Sequence, residues 1–450
     1  MPVEALRERV RSLMPRARDE LAELVSIRSV ADPKQEPVEE CLKAARRVAD
    51  AFAGAGLRDV RLVDMPYGHP AVYGHTPGPP GAPTVLLYCH YDVQPPLDED
   101  AWQTPPFELG ERGGRWYGRG AADCKGNIAM HLTALRALGE RWPVGVKLIA
   151  EGSEEQGLNE LEEWVPGNPD LLRADTILVC DAGNFAAGVP TLTVTLRGLA
   201  NVVVTVRTLG RAMHSGMFGD PAPDALAALI AMLATLRDAA GNTTVHGLDS
   251  TGRWDGVEYP AAQFRRDANV LDGVALLGDG EVADMLWARP ALTILGIDCP
   301  PVVGSSAAIQ PEARARINLR VPPGMSARAA QDALVGHLQS VAPWNARVEI
   351  EREASGEPWT GSTDGPAARA LGEAMREAYG REQMREGQGG SIPLCNVLQD
   401  TFPDAEMMIM GVEEPLCLIH APNESVDPSE IEHMALSEAL FLEKYGGGAR

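Results

Sequence analysis

Three apolar runs of strand length, each stopping at a histidine or a carboxylate, constrain this chain more than any other feature. Val85-Leu86-Leu87-Tyr88-Cys89 stops at His90 and Asp92, Val144 to Ala150 runs into Glu151 through Glu155, and Thr176 to Cys180 stops at Asp181. Short runs of this kind, the first bounded by Pro83 and Pro95, read as strands of a sheet covered on both faces. Open α/β sheets gather their ligands at the carboxyl ends of such strands. Side chains alternate along a strand, so positions 90 and 92 share a face. A carboxylate there can hold one imidazole nitrogen while the other meets a metal. Taken alone, H-x-D is more often a packed histidine beside a solvated aspartate; the other acidic clusters carry the argument.

At 450 residues the chain exceeds what one core normally holds, so two domains are expected. Apolar and charged contents of 45% and 23% are those of an ordinary globular protein. A formal net charge of −23 argues against nucleic acid and against anionic membranes as partners. The first residues, MPVEALRERVRSL, are amphipathic and lack the apolar core of a signal peptide. No apolar run approaches the roughly 20 residues that span a bilayer. Seven cysteines without C-x-x-C spacing suit a reducing compartment, and a cytoplasmic location is the expectation.

Periodicity predicts helices over Val3 to Val25, Val38 to Ala55 and Asn127 to Gly139, among the strands already named. Past Pro190 the texture changes. Leu192 to Leu196 and Val202 to Val206 alternate like half-exposed antiparallel strands, and a helix is expected over Pro223 to Ala239. Strands at Leu292 to Gly296, Arg314 to Val321 and Arg347 to Glu351, with a helix over Ser326 to Val341, complete a β-α-β-β-α-β order. That order is a split βαβ unit. A helix at Pro366 to Tyr379, a strand at Glu406 to Met410 and a helix at Pro428 to Lys444 resume the α/β texture, so residues 191–354 read as an insertion between 1–190 and 355–450. Thr243 to Asp284 shows no period.

The residues that can carry chemistry are His90, Asp123, Glu154, Glu155, Asp181 and His420. Imidazole and carboxylate donors without a thiolate suit Zn²⁺, Mn²⁺ or Co²⁺ in a site with open positions. Five ligands are too many for one catalytic zinc, but they suit two ions that share a carboxylate. Such a pair, roughly 3.5–4 Å apart, activates water and polarises a carbonyl oxygen. H-E-x-x-H, G-x-S-x-G and the P-loop pattern are all absent, and Gly118-Arg119-Gly120 lacks the third glycine of a dinucleotide turn.

With these motifs the sequence resembles the M20 family of co-catalytic metallopeptidases, closest to its carnosine-dipeptidase-like branch. The resemblance rests on His90-Tyr91-Asp92-Val93-Gln94-Pro95, on Trp116-Tyr117-Gly118-Arg119-Gly120 with Asp123-x-Lys125-Gly126, and on Glu151-Gly152-Ser153-Glu154-Glu155-Gln156-Gly157. It implies an α/β fold: a zinc-peptidase-like catalytic domain with a mixed central sheet flanked by helices, plus an inserted α+β, ferredoxin-like lid and dimerisation domain. It further implies that Asp123 bridges two divalent metal ions, zinc before manganese or cobalt. Glu155, Asp181, His90 and His420 are the other ligands it implies, with Asp92 orienting His90 and Glu154 the general base. A cis peptide is implied at Asp123-Cys124.

The insertion matches too. Met213-His214-Ser215-Gly216-Met217-Phe218-Gly219 resembles the segment whose histidine reaches a partner subunit's active site and donates to the oxyanion, which implies a homodimer. Asn318-Leu319-Arg320-Val321-Pro322 resembles the strand whose arginine grips the substrate carboxylate, and Gly389-Gly390-Ser391-Ile392-Pro393 resembles the substrate-contacting glycine turn. The plain alternatives are a cross-strand ion pair for Arg320 and a helix cap for His214. Two departures stand out: Cys124 replaces the usual Asp or Asn, and Gln388 interrupts the R-E-G-G run. The expected activity is hydrolysis of dipeptides or similar small aminoacyl substrates with a free carboxylate. An N-acyl-amino-acid amidohydrolase on the same fold is the alternative, and a non-catalytic binding protein a more distant one.

Overall fold

A computed structural model describes residues 1–447. The chain forms two compact units, one of residues 1–194, 361–386 and 393–450, the other of residues 195–360 and 387–392.

In the first unit the central sheet takes Arg61–Val63, Ala71–Thr76, Gly145–Glu151, Thr84–His90, Thr176–Cys180 and Glu406–Met410 in that spatial order. The last four are mutually parallel, and Ala71–Thr76 joins them antiparallel, which makes the sheet mixed. Their register levels the carboxyl ends: His90 lies opposite Glu151, and Met410 opposite Cys180. Every side chain of Gly145–Glu151 and Thr176–Cys180 is buried, as continuous apolar runs require.

Helices Val3–Val25, Lys125–Leu138, Pro366–Tyr379 and Pro428–Gly447 pack against one another, and Val38–Gly54 packs on Ala71–Thr76. Lys125–Leu138 has nearly all its residues buried, the mark of a core helix rather than an amphipathic one. Leu6, Leu21, Leu132, Leu135, Leu87, Leu148 and Met434 share one core. Burying each such side chain contributes about 1.5–3 kcal/mol.

The second unit holds an antiparallel sheet in the order Ala291–Asp298, Glu312–Val321, Gly198–Arg207, Arg347–Gly356. Taken along the chain this is second, third, first, fourth, the split βαβ arrangement. Helices Ala225–Ala234 and Ala327–Ser340 pack on it through Leu229, Met232, Leu334 and Leu338. The first of these helices is shorter than the apolar run from Pro223 to Ala239 predicts. Asp224 caps its start by accepting from the backbone of Leu226 and Ala227, and beyond Thr235 the Asp238 carboxylate draws the N–H groups of Ala240 and Asn242 into a turn. The aperiodic stretch that follows contains a short helix, Ala261–Asp267. Asp284 anchors it by taking Arg253 at 2.6 Å and the backbone N–H of Trp254 at 2.7 Å.

Among the described residues no helix is long and apolar enough to cross a membrane.

Candidate metal centre

His90 is the last residue of its strand and is fully buried. His90 Nδ1 hydrogen-bonds the Asp92 backbone carbonyl at 3.1 Å with the Asp92 carboxylate 3.3 Å away, and that carboxylate accepts the backbone N–H groups of Glu154 at 3.2 Å and Glu155 at 3.0 Å. One buried carboxylate therefore orients the imidazole and pins the turn Glu154–Gln156 that follows the neighbouring strand. Two backbone donors and the neighbouring imidazole offset the cost of its desolvation.

Asp123 is presented by a loop built around another carboxylate. Glu424, completely buried, accepts from Arg119 Nη1 at 2.7 Å and from the backbone N–H groups of Gly120, Ala122 and Asp123 at 3.0 to 3.1 Å. Gly120 carries the turn at φ +82°, where a side chain would be strained. The Asp123–Cys124 peptide is cis, as the resemblance implies. Two residues on, Lys125 Nζ reaches the carbonyls of Leu24 and Ile27 at 2.9 Å each, tying the loop to the end of the first helix. Burial pulls the pKa of that amine down to about 7.

The two oxygens of Asp123 face different partners. Oδ1 lies 3.0 Å from His90 Nε2, which is also 3.0 Å from Asp181 Oδ1. Oδ2 lies 2.9 Å from His420 Nε2, which is also 3.1 Å from Glu155 Oε2. Asp181 follows directly on Thr176–Cys180, and His420 sits in a loop with a left-handed backbone, φ 53° at Leu418 and 63° at itself. A single carboxylate thus stands between two donor pairs, each with one imidazole and one acid.

Electrostatics show what such a cluster lacks. Burial raises the Asp123 carboxyl, but bonds from His420 and His90 outweigh it and hold it below the usual carboxylate range. Bonds to Asp123 and Glu155 push the His420 imidazole up to about 11. Burial and then the charge of Asp123 raise Glu155 to about 7, and burial with the charge of Asp181 lifts Glu154 well above the ordinary glutamic acid. Acids crowd the site and histidines are made to serve as its cations. The donor set is hard oxygen plus imidazole arranged in two groups around a shared oxygen pair, and this fits two divalent ions.

Two other groups border the cluster. Cys124 Sγ lies near His90 and Asp181, yet it donates to the carbonyl of Cys180 at 3.0 Å. Glu413 lies against Asp123 and Asp181 with its Oε1 unpartnered. Neither Glu413 nor Glu424 stands out in the sequence: both occupy irregular segments, and the bonds of Glu424 reach back about 300 positions. A separate triad, His131, Cys180 and Glu438, is buried in the core, where His131 Nδ1 pairs with Glu438 at 2.6 Å.

The remaining sequence-predicted residues belong to the second unit. His214 is exposed and precedes the short helix Ser215–Phe218 without capping it through its side chain. Arg320 lies opposite Leu199 and Ala291, and it makes no cross-strand ion pair among the described residues. Gly390 and Ser391 lie in the segment 387–392 that groups with this unit.

Comparison with known proteins agrees with this geometry. A cysteinylglycine-S-conjugate dipeptidase of Corynebacterium striatum is 48% identical over 371 residues, covering 81% of this chain and 82% of that protein. A Cys-Gly metallodipeptidase of Schizosaccharomyces pombe is 26% identical over 413 residues, 87% of this chain and 85% of that one. The crystal structure of human carnosine dipeptidase 1 superposes with a TM-score of 0.84 at 26% identity, covering 99% of both chains. The model of peptidase family M20/M25/M40 matches residues 86–444, and with the strand ends, the shared aspartate and the paired donors in place, the chain belongs to that family.

Proposed function

We propose that this chain hydrolyses the amide bond of dipeptides with a free carboxyl terminus at a dinuclear metal centre. It is a metal-dependent dipeptidase. The observation that carries this reading is Asp123, with one oxygen toward His90 and Asp181 and the other toward His420 and Glu155. Zinc is the ion we assign, from the mixture of imidazole and carboxylate donors, with manganese or cobalt as working substitutes.

When bound, the ions would acidify a water molecule and polarise the scissile carbonyl. The chain's own groups do the rest. Glu154, on the turn that Asp92 pins beside His90, takes a proton from the attacking water and gives it to the departing amine. Asp92 keeps the His90 ring and the Glu154 turn in fixed relation. Arg320, Gly390 and Ser391 receive the substrate carboxylate, a task a planar guanidinium performs well.

A homodimer through the inserted unit completes the reading, with His214 delivered across it as an oxyanion donor. Support comes from the edge strand Ala291–Asp298, which exposes Ile294, Leu295 and Ile297, and from Val302 and Val303, 92% and 90% exposed. Apolar side chains on an open edge call for cover. The free state of all seven cysteines supports a cytoplasmic location.

Among dipeptides, cysteinylglycine and its S-substituted forms are the substrates we assign first, following the relative at 48% identity. Exposed Leu416, Leu418 and Ile419, just before His420, offer apolar surface to a bulky sulfur substituent. The purified, zinc-loaded protein should cleave these dipeptides and leave N-acetyl and N-succinyl amino acids largely untouched. Glu154→Gln should keep both metals and lose activity by about a hundred- to ten-thousandfold. Full activity in that variant, or a preference for N-acyl substrates, overturns the reading.

A further inference from the structure

Three arginines withdrawn from solvent in the first unit come with acids. Arg119 lies 2.7 Å from Glu424, Arg136 lies 2.5 Å from Glu20, and Arg115 lies 2.5 Å from Glu414. The reason is general: a guanidinium stays charged, so removing it from water is tolerable only where an anion replaces the lost solvation.

Arg197 departs from that rule. It is only 7% exposed, and its Nε and Nη1 have no hydrogen-bond partner. Among the described residues it has no ion pair. Its neighbour is another cation, for burial and the charge of Arg320 together pull its pKa down to about 10. Arg320 also lacks an acid among the described residues, and its own pKa is lowered by burial. Two arginines without an anion, on a unit that supplies acids to its other buried arginine, Arg289, are an incomplete arrangement.

The surroundings say what is missing. The backbone N–H of Arg197 donates to the carbonyl of Gln388 at 3.1 Å, which fixes it beside the segment 387–392. A Cβ on Gly389 would come within 2.7 Å of Arg197 Nη2 and push the guanidinium aside, so glycine lets that turn lie against it undisturbed. A Cβ on Gly390 would meet nothing closer than 4.0 Å. A bare turn, open space and the three unshared N–H donors of Arg197 Nε and Nη1 make a cradle for a planar anion.

We propose that Arg197 is a second carboxylate-binding residue, and that with Arg320 and the bare Gly389–Gly390 turn it forms a two-arginine site for the α-carboxylate of the dipeptide. This rests on the dipeptidase reading above. Two forks account for the buried Arg197 and the half-buried Arg320 with a single bound anion. They also make the site reject substrates whose carboxyl group is capped, because such a ligand would leave two desolvated guanidinium groups unpaired.

The test compares Ala-Leu with Ala-leucinamide on the metal-loaded protein, its Arg197→Gln and Arg197→Lys variants, and Arg320→Gln. Arg197→Gln should raise KM for Ala-Leu by about ten- to a hundredfold with kcat much less affected, and should barely change kcat/KM for the amide. Arg197→Lys, which keeps the charge and loses the fork, should fall between. Calorimetric titration with the product leucine against leucinamide supplies a readout without turnover: wild type should prefer leucine, and Arg197→Gln should lose most of that preference. Equal losses on acid and amide, or unchanged discrimination in a folded variant, would overturn the assignment of Arg197 while leaving the dipeptidase reading intact. A wild type that cleaves neither compound yet prefers leucine to leucinamide would sink the dipeptidase reading and keep the anion site. No preference for leucine in wild type would remove the site itself.

Discussion

The two halves of the proposed metal centre are built on different terms. His90 is fully buried at the end of a sheet strand, and its Nδ1 side is held by Asp92, which also grips two backbone N–H groups. His420 has a side chain 53% exposed, rides on a loop with two left-handed residues, and has no partner at Nδ1 among the described residues. Both meet the same aspartate at about the same distance, 3.0 and 2.9 Å. A hydrogen bond on the far nitrogen fixes ring orientation and tautomer before an ion arrives. One position is therefore set by the fold, and the other must be organised in part by the ion it receives.

The largest effect tests what the halves share. Asp123→Asn weakens the only group common to both donor pairs, so the purified variant should retain neither ion after gel filtration and should show background activity by metal analysis and assay. Two retained equivalents would mean the halves are independent sites with no shared carboxylate.

Next comes the contrast itself. His90→Ala should lose the ion of the buried half and, through the released Asp92 and Glu154 turn, most activity with it. His420→Ala should keep one equivalent whose affinity, measured by chelator competition, stays within about tenfold of wild type. If His420→Ala empties both positions while His90→Ala empties one, the ranking of the halves is reversed.

A smaller loss is expected when the supports are altered rather than the ligands. Asp92→Asn keeps the shape but removes charge from His90 Nδ1, and metal affinity should fall by about ten- to a hundredfold. Glu424→Gln removes the charge that gathers three backbone N–H groups and Arg119, and it should act on both halves because it positions Asp123. Selective loss of the His420-side ion in Asp92→Asn would contradict the division drawn above.

The same contrast explains what could be read from the sequence. His90, Asp92, Glu154, Glu155 and Asp181 follow apolar runs directly, so the chain's local pattern points to them. The central sheet is legible for the same reason, since continuous apolar runs admit few alternatives to a covered parallel strand. His420 also follows an apolar run, Leu416 to Ile419, but a short one without strand neighbours, so its reading as a ligand leans on its place in the family. Glu424 was not legible, because its work is done on residues about 300 positions away and nothing near it is periodic. Arg197 looks in sequence like any arginine beside a strand, and only the missing acid sets it apart. The overlong helix after Pro223 failed at its ends, where side-chain caps outweigh apolar spacing. Thr243 to Asp284 is held by Asp284 and its partners instead of by a repeating backbone pattern, so it leaves no period to read.

The smallest expected effect isolates the exposed half in metal-free protein. There, bonds to Asp123 and Glu155 move the His420 pKa from 6.5 to about 11, so an imidazolium stands where a cation belongs. A histidine whose folded pKa is raised stabilises the fold fully below the unfolded value of 6.5, and that contribution declines as pH climbs toward about 11. Solvent screening at a half-exposed side chain keeps it modest. The melting-temperature advantage of metal-free wild type over His420→Asn should therefore be largest in mild acid and shrink steadily through the alkaline range. Loaded protein should not show this slope, since the ion displaces the proton. Binding near neutral pH must then release that proton, and calorimetry in buffers of different ionisation enthalpy should count more protons for wild type than for His420→Asn. Equal proton release in the two, or an advantage that grows with pH, would show that the loop half is as fixed in advance as the strand half, and the distinction between them would fail.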